Sequence, residues 1–325
     1  MPNPTPEQIF IVGMNGSGTT MLLDCLNNHP DLYGFRGETR VIPYFISKLG
    51  KYGDLNIDSN FFNLLNDFRH VPIFVSCNDG IPPPLPDNWK TLERSLGSAI
   101  NSVFRYFAAQ DNKVRWCEKT PMHAMHITSI AKIFPNSKFI HVIRDGRDCA
   151  ASFHRRWGYS SKRTISRWKK VIPIAQSQGN LIGDRYLEIT YENLTENPEL
   201  WMGTICDFLS AEFNEKVLYL SRNQKHSGSS NQKISVNKER WRSYYSEHSI
   251  KILESIAGKQ LHSLGYSCKN RSGDRDPHSL ESLLWAMKDY VRAIARELKS
   301  PDRRTKYNFR AKLTAAIKQL LTNRV

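Results

Sequence analysis

The chain has 325 residues, with 46 lysines and arginines against 31 aspartates and glutamates, so its formal net charge is +15. This length suits one substantial hydrophobic core with at most a small appendage, which argues against a large multidomain architecture. The positive charge predicts an anionic partner, but it does not distinguish nucleic acid, anionic lipid, a charged glycan and a nucleotide.

The sequence shows none of the features that place a chain in a membrane or an oxidising compartment. No apolar run reaches the roughly 18 to 20 residues of a membrane span, and the opening residues MPNPTPEQ lack the pattern of a signal peptide. The six cysteines are widely spaced without a C-x-x-C pair, which argues against a zinc site or a disulfide framework. Cys25, Cys149 and Cys206 have apolar neighbours, so we expect buried thiols and a cytoplasmic protein.

The first predicted strand and helix enclose a glycine-rich loop. Residues 9–12 form a short apolar run, and residues 19–28 carry four apolar side chains at helical spacing. Farther along, residues 91–107 place five apolar side chains on one helical stripe, which predicts a helix that faces the core. Residues 81–86 (IPPPLP) are predicted to be irregular because proline lacks the backbone donor.

Two further pairs of strand and helix are predicted in the middle of the chain. Residues 138–143 (KFIHVI) favour a strand and precede a helix that begins near Cys149. Residues 186–190 (YLEIT) favour another strand, followed by a helix at residues 198–209. Strands that alternate with helices predict an α/β fold, with a parallel sheet flanked by helices.

The composition changes after Cys268. Residues 269–279 are polar and typical of a linker or exposed turn, so we expect a main domain of residues 1–268 and a basic helical extension of residues 269–325. Apolar stripes predict two amphipathic helices there, one with Leu280, Leu283, Leu284, Met287, Val291, Ile294 and Leu298, the other with Phe309, Leu313, Ile317, Leu320 and Leu321. These helices either pack on the main domain or offer a surface to an anionic membrane, an acidic substrate or a second subunit.

The glycine-rich loop at residues 13–20 reads G-M-N-G-S-G-T-T. Its glycines let backbone N–H groups converge on an anion, and the N-terminus of the next helix adds positive charge. Loops that bind nucleoside triphosphates carry a lysine where this chain has Thr19, because the lysine neutralises the β- and γ-phosphates. The loop therefore favours a phosphate with an anhydride-linked sulfate over a triphosphate.

A second phosphate site is predicted at the strand formed by residues 138–143. Arg144 follows that strand directly, and Ser152 lies eight positions later, early in the next helix. An arginine and a hydroxyl in these positions can bind one phosphate, the arginine through two hydrogen bonds. Two phosphate sites on neighbouring units predict a nucleotide with phosphate at both its 5′ and 3′ positions.

The sequence resembles the sulfotransferases that use 3′-phosphoadenosine 5′-phosphosulfate (PAPS). The resemblance rests on IFIVGMNGSGTTMLLDCLNNHP and KFIHVIRDGRDCAASF, and it extends over residues 9–266 in the family's order. The segments GETRVIP, EKTP and RDGR are most similar to the tyrosylprotein sulfotransferase branch. The fold that this implies is the P-loop nucleotide-hydrolase type.

The resemblance also implies roles for individual residues. Glu38 corresponds to the catalytic base and Lys119 to a lysine that binds the donor, while His123 and His126 remain alternative bases. The other residues implied to bind PAPS, or its product 3′-phosphoadenosine 5′-phosphate (PAP), are Asn15, Gly16, Ser17, Gly18, Thr19, Thr20, Arg144, Ser152, Arg156 and Tyr191, with Lys238 or Arg240 as a further basic contact. Gly16 replaces the arginine or lysine usual in the family's loop, and Lys119 is expected to supply that charge.

The reaction implied is in-line transfer of a sulfuryl group to an acceptor hydroxyl, without a metal ion. The acceptor could be a peptide tyrosine, a glycan or a small molecule, and the sequence does not indicate an oligomeric state.

Two other classes of function are alternatives to a sulfotransferase. A P-loop kinase or nucleotide hydrolase would need the loop lysine and a carboxylate for magnesium. A non-catalytic protein that binds nucleic acid or another anion would account for the charge, although no nucleic-acid partner is expected.

Overall fold

The structure is a computed structural model that describes residues 7–220 and 232–299. The chain forms two compact units. The first unit comprises Met1–Arg144 and Lys170–Glu239, and the second comprises Asp145–Lys169 and Arg240–Val325. Cys268, where the sequence predicts a domain boundary, lies inside the second unit, and the division into residues 1–268 and 269–325 stays a prediction.

Helices and strands alternate through the first 210 or so residues, as the sequence predicts. The strands are β1 (Ile9–Gly13), β2 (Leu32–Gly34), β3 (Arg115–Lys119), β4 (Lys138–Ile143), β5 (Tyr186–Thr190), β6 (Tyr219–Leu220) and β7 (Gln232–Lys233). The α-helices are α1 (Thr19–Leu26), α2 (Ile42–Lys48), α3 (Asp58–Arg69), α4 (Pro72–Cys77), α5 (Leu96–Gln110), α6 (Ile127–Ile133), α7 (Gly146–Trp157), α8 (Ser161–Asn180), α9 (Tyr191–Glu196), α10 (Pro198–Phe208), α11 (Trp241–Tyr244), α12 (Glu247–Ser263) and α13 (Ser279–Lys299). Short 3₁₀ turns lie at Leu49–Tyr52, Trp89–Thr91, Pro121–Met125, Gly183–Arg185 and Glu215–Leu218.

The first unit is built on a parallel sheet with the strand order β2-β3-β1-β4-β5. Successive side chains of a strand point to opposite faces, and β1 shows this directly. Phe10 packs against Trp116 and Phe139 on one face, whereas Ile9 and Ile11 join an aliphatic cluster on the other. The prediction of a parallel sheet flanked by helices is confirmed, since both faces of the central strand are fully buried.

Helices cover the two faces with different side chains. Phe104 of α5 stacks on Trp116, with ring centroids 4.3 Å apart, and Phe134 after α6 packs on Phe10. Leu22 of α1 and Ile205 of α10 belong to the aliphatic cluster on the opposite face. Cys25, Cys149 and Cys206 are buried as predicted, and burial raises the pKa of the Cys25 thiol.

A buried arginine organises the second unit. Arg147 of α7 makes ion pairs of 2.7 Å with Asp145 and with Glu254 of α12, and its guanidinium lies 3.7 Å from the ring centroid of Trp241. The arginine is 1% exposed, so its charge is stabilised by the two carboxylates and the indole rather than by water.

The predicted linker at residues 269–279 is irregular, but it is fastened to α12. Backbone N–H groups of Lys269 and Asn270 donate to Glu254 at 2.9 and 3.1 Å, and Lys259 N–H donates to the Gly273 carbonyl at 2.9 Å. The segment is therefore mostly exposed, as predicted, and it is also hydrogen-bonded to α12.

The first amphipathic helix of the extension is present as α13, but most of its apolar stripe is exposed. Leu280, Leu283, Leu284, Met287 and Val291 are all exposed, which favours the alternative of a surface for a partner over packing of these side chains on the main domain. The second predicted stripe, from Phe309 to Leu321, lies outside the described residues. Among the helices that the structure describes, none is long and apolar enough to span a membrane.

Candidate active site

The candidate site of the first unit lies where its parallel strands end. Because parallel strands have their carboxyl ends at one edge of the sheet, the loops after them converge there. β1 is followed by the glycine loop, β4 by Arg144, and β5 by Tyr191. Lys119 is the last residue of β3, and Glu38 lies in the loop after β2. Residues separated by more than 150 positions are thus brought to one edge.

The glycine loop has the backbone of an anion site. Gly16 and Gly18 have positive φ angles of 91° and 102°, which favour glycine, and Gly18 directly precedes the first turn of α1. A Cβ atom at Gly18 would lie 2.3 Å from Cδ2 of Tyr191, so the ring of Tyr191 packs against the loop. Ser17 is fully buried, and its Oγ has no hydrogen-bond partner among the described residues. A buried hydroxyl of this kind suits a bound oxyanion.

Arg144 is fixed beside this loop. Its guanidinium donates to the Gly16 carbonyl at 3.2 Å and to the Asn237 carbonyl at 3.1 Å, and it lies 4.1 Å from the ring centroid of Tyr191. The side chain is 7% exposed. A cation is therefore available at the loop even though Gly16 itself carries none.

Glu38 and Lys119 form the second part of the site. Lys119 Nζ donates to Glu38 Oε1 at 2.9 Å, and Arg40 binds the other carboxylate oxygen, donating from Nε at 2.9 Å and also from Nη2. Lys119 is buried, whereas the Glu38 side chain is 22% exposed. The carboxylate can therefore be reached from solvent while the ammonium faces the interior.

The charge state of Glu38 follows from these partners. Burial alone would raise the pKa of Glu38, but Lys119 and Arg40 outweigh burial through charge and hydrogen bonds and lower that pKa below its usual value. Glu38 is therefore ionised at neutral pH, as a proton acceptor must be. Arg40 holds a positive φ of 55°, which is uncommon for residues other than glycine.

A buried carboxylate that the sequence analysis missed fixes the loop carrying Glu38. Glu118 is fully buried and accepts hydrogen bonds from the backbone and hydroxyl of Thr39, from Thr120 and from His123, at 2.5 to 3.3 Å. Its neighbours in the chain, Lys119 and Thr39, adjoin the ion pair. The motif EKTP gave no local signal for this role, because the composition of the strand that buries Glu118 favours no strand.

Replacing Glu118 with alanine is expected to lower the free energy of unfolding by about 3 kcal/mol at neutral pH, because buried donors lose their acceptor. Burial alone would raise the pKa of Glu118, but His123, Thr120 and Thr39 lower it. A lowered folded-state pKa stabilises the protein above the unfolded-state value, so the deficit should shrink as pH falls through the pKa of Glu118. Urea unfolding of wild type and variant across this pH range measures it.

The matched control is Asp67→Ala, which removes a half-exposed carboxylate that binds Lys51 at 3.1 Å and the Tyr52 hydroxyl at 2.8 Å. Its cost is expected to be about 1 kcal/mol, well below that of Glu118→Ala. Equal unfolding free energies for the two variants would contradict the structural role of Glu118.

The two histidines that remain alternative bases have different surroundings. His123 is buried, and its Nδ1 lies 3.0 Å from Glu118 Oε2. His126 is exposed, and partial desolvation together with the charge of His123 lowers its pKa. Among the described residues, neither histidine forms a hydrogen bond or ion pair with Glu38 or Lys119, so the geometry favours Glu38 as the base, and the assignment stays a prediction.

The remaining predicted donor contacts are divided between the two units. Lys238 belongs to the first unit, where it forms an ion pair with Glu196. Ser152, Arg156 and Arg240 belong to the second. Ser152 is buried on α7, and Arg156 lies one helical turn later on the same face. Their joint role in binding a 3′-phosphate stays a prediction.

Within residues 7–220 and 232–299, no group of three or more His, Cys, Asp or Glu side chains could hold a metal ion. The chemistry available from the described side chains is that of a carboxylate base beside an ammonium and an anion loop. Such a set can move a proton and stabilise negative charge on a phosphate.

Comparisons with known proteins identify a family and similar chains. The model of the Sulfotransferase family matches residues 6–215. Protein-tyrosine sulfotransferase 1 of Danio rerio is 28% identical over 220 residues, covering 65% of this chain and 55% of that protein. A putative protein-tyrosine sulfotransferase of Caenorhabditis briggsae is 25% identical over 288 residues, covering 82% and 92%.

A solved structure supports the fold. The sulfotransferase domain of the Synechococcus PCC 7002 olefin synthase superposes with a TM-score of 0.51 at 22% identity, covering 79% of this chain and 97% of that one. The chain spans about half the length of several curated relatives that it matches. Since the family model covers well over half of the residues, the chain belongs to the sulfotransferase family.

Proposed function

We propose that the protein transfers the sulfuryl group of PAPS to an acceptor hydroxyl. The observation that carries this proposal is the 2.9 Å pair of Glu38 and Lys119 at the sheet edge that also holds the glycine loop. The loop lacks the lysine of triphosphate-binding loops, because Thr19 occupies that position. The pair supplies the base and the charge that sulfuryl transfer needs.

The proposed reaction assigns one role to each group. The acceptor oxygen attacks sulfur in line, its proton passes to the Glu38 carboxylate, and the bond between sulfur and the bridging oxygen breaks. The electron pair of that bond stays on the 5′-phosphate. Lys119 neutralises the charge that develops on the bridging oxygen, while the loop N–H groups and Ser17 hold the phosphate.

The proposal also covers the donor's second phosphate and the acceptor. Arg144, Ser152 and Arg156 would bind the 3′-phosphate, on the basis of their match to the family's motif. The relatives named protein-tyrosine sulfotransferases support a phenolic hydroxyl, such as a peptide tyrosine, as the acceptor. A cytoplasmic location stays a prediction.

Titration with PAP tests donor binding without knowledge of the acceptor. We expect PAP to bind in the presence of EDTA, at least about 100-fold more tightly than ATP with Mg²⁺, because the loop lacks a lysine for the γ-phosphate. Arg144→Gln should weaken PAP binding by at least about tenfold. Isothermal titration calorimetry measures both.

Arg69→Gln is the matched control, since Arg69 also donates to a backbone carbonyl of the first unit, that of Pro83 at 2.8 Å. This variant should bind PAP like the wild type. Tighter binding of ATP with Mg²⁺ would point instead to a kinase or nucleotide hydrolase, and unchanged PAP affinity in Arg144→Gln would contradict the assigned phosphate contact.

A further inference from the structure

The second unit contains a cavity of about 300 Å³ that the proposed transfer reaction does not use. Side chains from the start of α8, from α12 and from α13 line it, and His154 of α7 closes one side. All of its lining residues belong to the second unit. Its volume is at the lower end of the range for small-molecule sites.

The polar part of the lining is cationic. Lys162, Lys288 and Arg292 contribute positive charge, and no carboxylate is among the lining residues. Neither lysine has a hydrogen-bond or ion-pair partner within the described residues 7–220 and 232–299. Arg292 is oriented by a 2.8 Å hydrogen bond to the Gly158 carbonyl. A surplus of cations on a concave surface attracts an anion.

The carboxylates near the cavity are bound mainly by other groups, although the charge of Lys162 also acts on Glu281. Asp289 is buried and accepts from the backbone of Ser160 at 2.7 Å and from Arg163 at 3.0 Å. Glu281 is held by Arg275 at 2.8 and 3.2 Å. Burial is the main cause of the lowered pKa of His154; the charge of Arg292 also lowers that pKa, and the charge of Asp289 opposes it.

The other walls suit an apolar body with hydrogen-bonding groups beside it. Trp285, Ile252 and Leu253 supply apolar surface, and the hydroxyls of Ser161 and Ser249 lie among them. An aromatic ring can pack against the indole while hydroxyls and ammonium groups bind an anionic end. A purely inorganic anion would leave the apolar wall unused.

The cavity is separate from the predicted 3′-phosphate residues of α7. Successive helical residues turn by about 100°, so His154 points roughly 200° away from Ser152 and from Arg156, each two positions distant. Ser152 and Arg156 do not line the cavity, whereas His154 does. The donor and the cavity would therefore use opposite faces of this helix.

We infer that the cavity binds a small organic ester of phosphate or sulfate with an aromatic or similarly sized apolar group. This ligand site is independent of PAPS binding and of the transfer reaction. The anionic end is bound by Lys162, Lys288 and Arg292, and the apolar body lies against Trp285 and Ile252.

Calorimetric titration with 1-naphthyl phosphate and 1-naphthyl sulfate tests the site, with 1-naphthol and inorganic phosphate as partial ligands. Each titration is run with and without excess PAP. At least one ester should bind about tenfold or more tightly than either partial ligand, and PAP should leave that affinity unchanged. The ester that binds more tightly shows whether the cavity prefers phosphate or sulfate, and either result supports the site.

The double variant Lys162→Gln with Lys288→Gln should weaken ester binding at least about tenfold. The matched control is Lys251→Gln with Lys259→Gln, which removes two exposed lysines of α12 that do not line the cavity. Trp285→Leu should also weaken binding of the ester. It should remove any change in tryptophan fluorescence that accompanies binding in the wild type.

Three results would overturn the inference. Displacement of the ester by PAP would place the ester in the donor site. Equal ester affinity of the two double variants would show that Lys162 and Lys288 do not bind the ester. Binding of 1-naphthol as tight as that of the esters would show that the cavity does not recognise the anion. Circular dichroism of each variant checks that the variant is folded. If a double variant does not fold, Trp285→Leu tests the binding site instead.

Discussion

Lys119→Ala is expected to lower the rate of sulfuryl transfer by about 10²- to 10³-fold while leaving the fold intact. The glycine loop carries no basic residue at Gly16, so Lys119 is the cation proposed to meet the charge on the leaving oxygen. The loss should appear mainly in kcat, because the charge develops in the transition state. Transfer of ³⁵S from labelled PAPS to a panel of tyrosine peptides, glycans and phenols measures it.

The pH dependence of the same variant gives a second readout. Lys119 helps to lower the pKa of Glu38 against the effect of burial, so its removal should raise that pKa. The acidic limb of the remaining activity should then move to higher pH. Lys51→Ala, which removes an exposed lysine paired with Asp67, is the matched control. A wild-type transfer rate in Lys119→Ala would contradict the proposal that Lys119 neutralises the charge on the leaving oxygen.

Glu38→Gln is expected to lower the transfer rate by about 10²- to 10⁴-fold, the usual range for loss of a general base. The amide keeps the shape of the side chain but cannot take the acceptor's proton. PAP affinity should change little, since Glu38 is proposed to act on the acceptor. Asp67→Asn, which neutralises another carboxylate that binds a lysine, should keep wild-type rates in the labelled-PAPS assay.

The pH profile of Glu38→Gln separates the carboxylate from the histidines. In the wild type the rate should fall only when pH drops below the lowered pKa of Glu38. The variant should lose this limb. A wild-type rate that falls near the ordinary pKa of histidine, with a similar profile in Glu38→Gln, would assign the base to His123 or His126 instead.

The parts of the fold that could be predicted are those with a strong local signal. The strands at Lys138–Ile143 and Tyr186–Thr190 have the predicted bounds, since β-branched and aromatic residues dominate both. α5 begins at Leu96 rather than residue 91, because the Ser95 hydroxyl accepts from the backbone of Ser98 and caps the helix. The apolar stripe alone did not locate this cap.

Other strands were missed for a physical reason. β3 (RWCEK) combines charged residues with two buried apolar ones, so its composition favours no strand. Its burial comes from pairing with β1 and β2 on either side. That pairing also carries Glu118 and Lys119 into the interior, which the segment by itself does not indicate.

For the candidate site, the sequence suggested residues but not their contacts. The loop pattern and the family resemblance suggested Glu38, Lys119 and Arg144, whose roles stay predictions. The binding of Arg144 to the Gly16 and Asn237 carbonyls depends on side-chain directions that residue spacing does not define. In the same way, the stripe of α13 predicted the helix, but it could not show whether another element covers that face.

The central claim is that PAPS is the donor, and transfer of its label tests this most directly. Wild-type protein is incubated in EDTA with ³⁵S-labelled PAPS and the acceptor panel, and a parallel reaction contains ATP labelled in its γ-phosphate with Mg²⁺. We expect ³⁵S in an acceptor, in amounts matched by the release of PAP, and no transfer of phosphate. Phosphate transfer from ATP without any ³⁵S product would contradict the account.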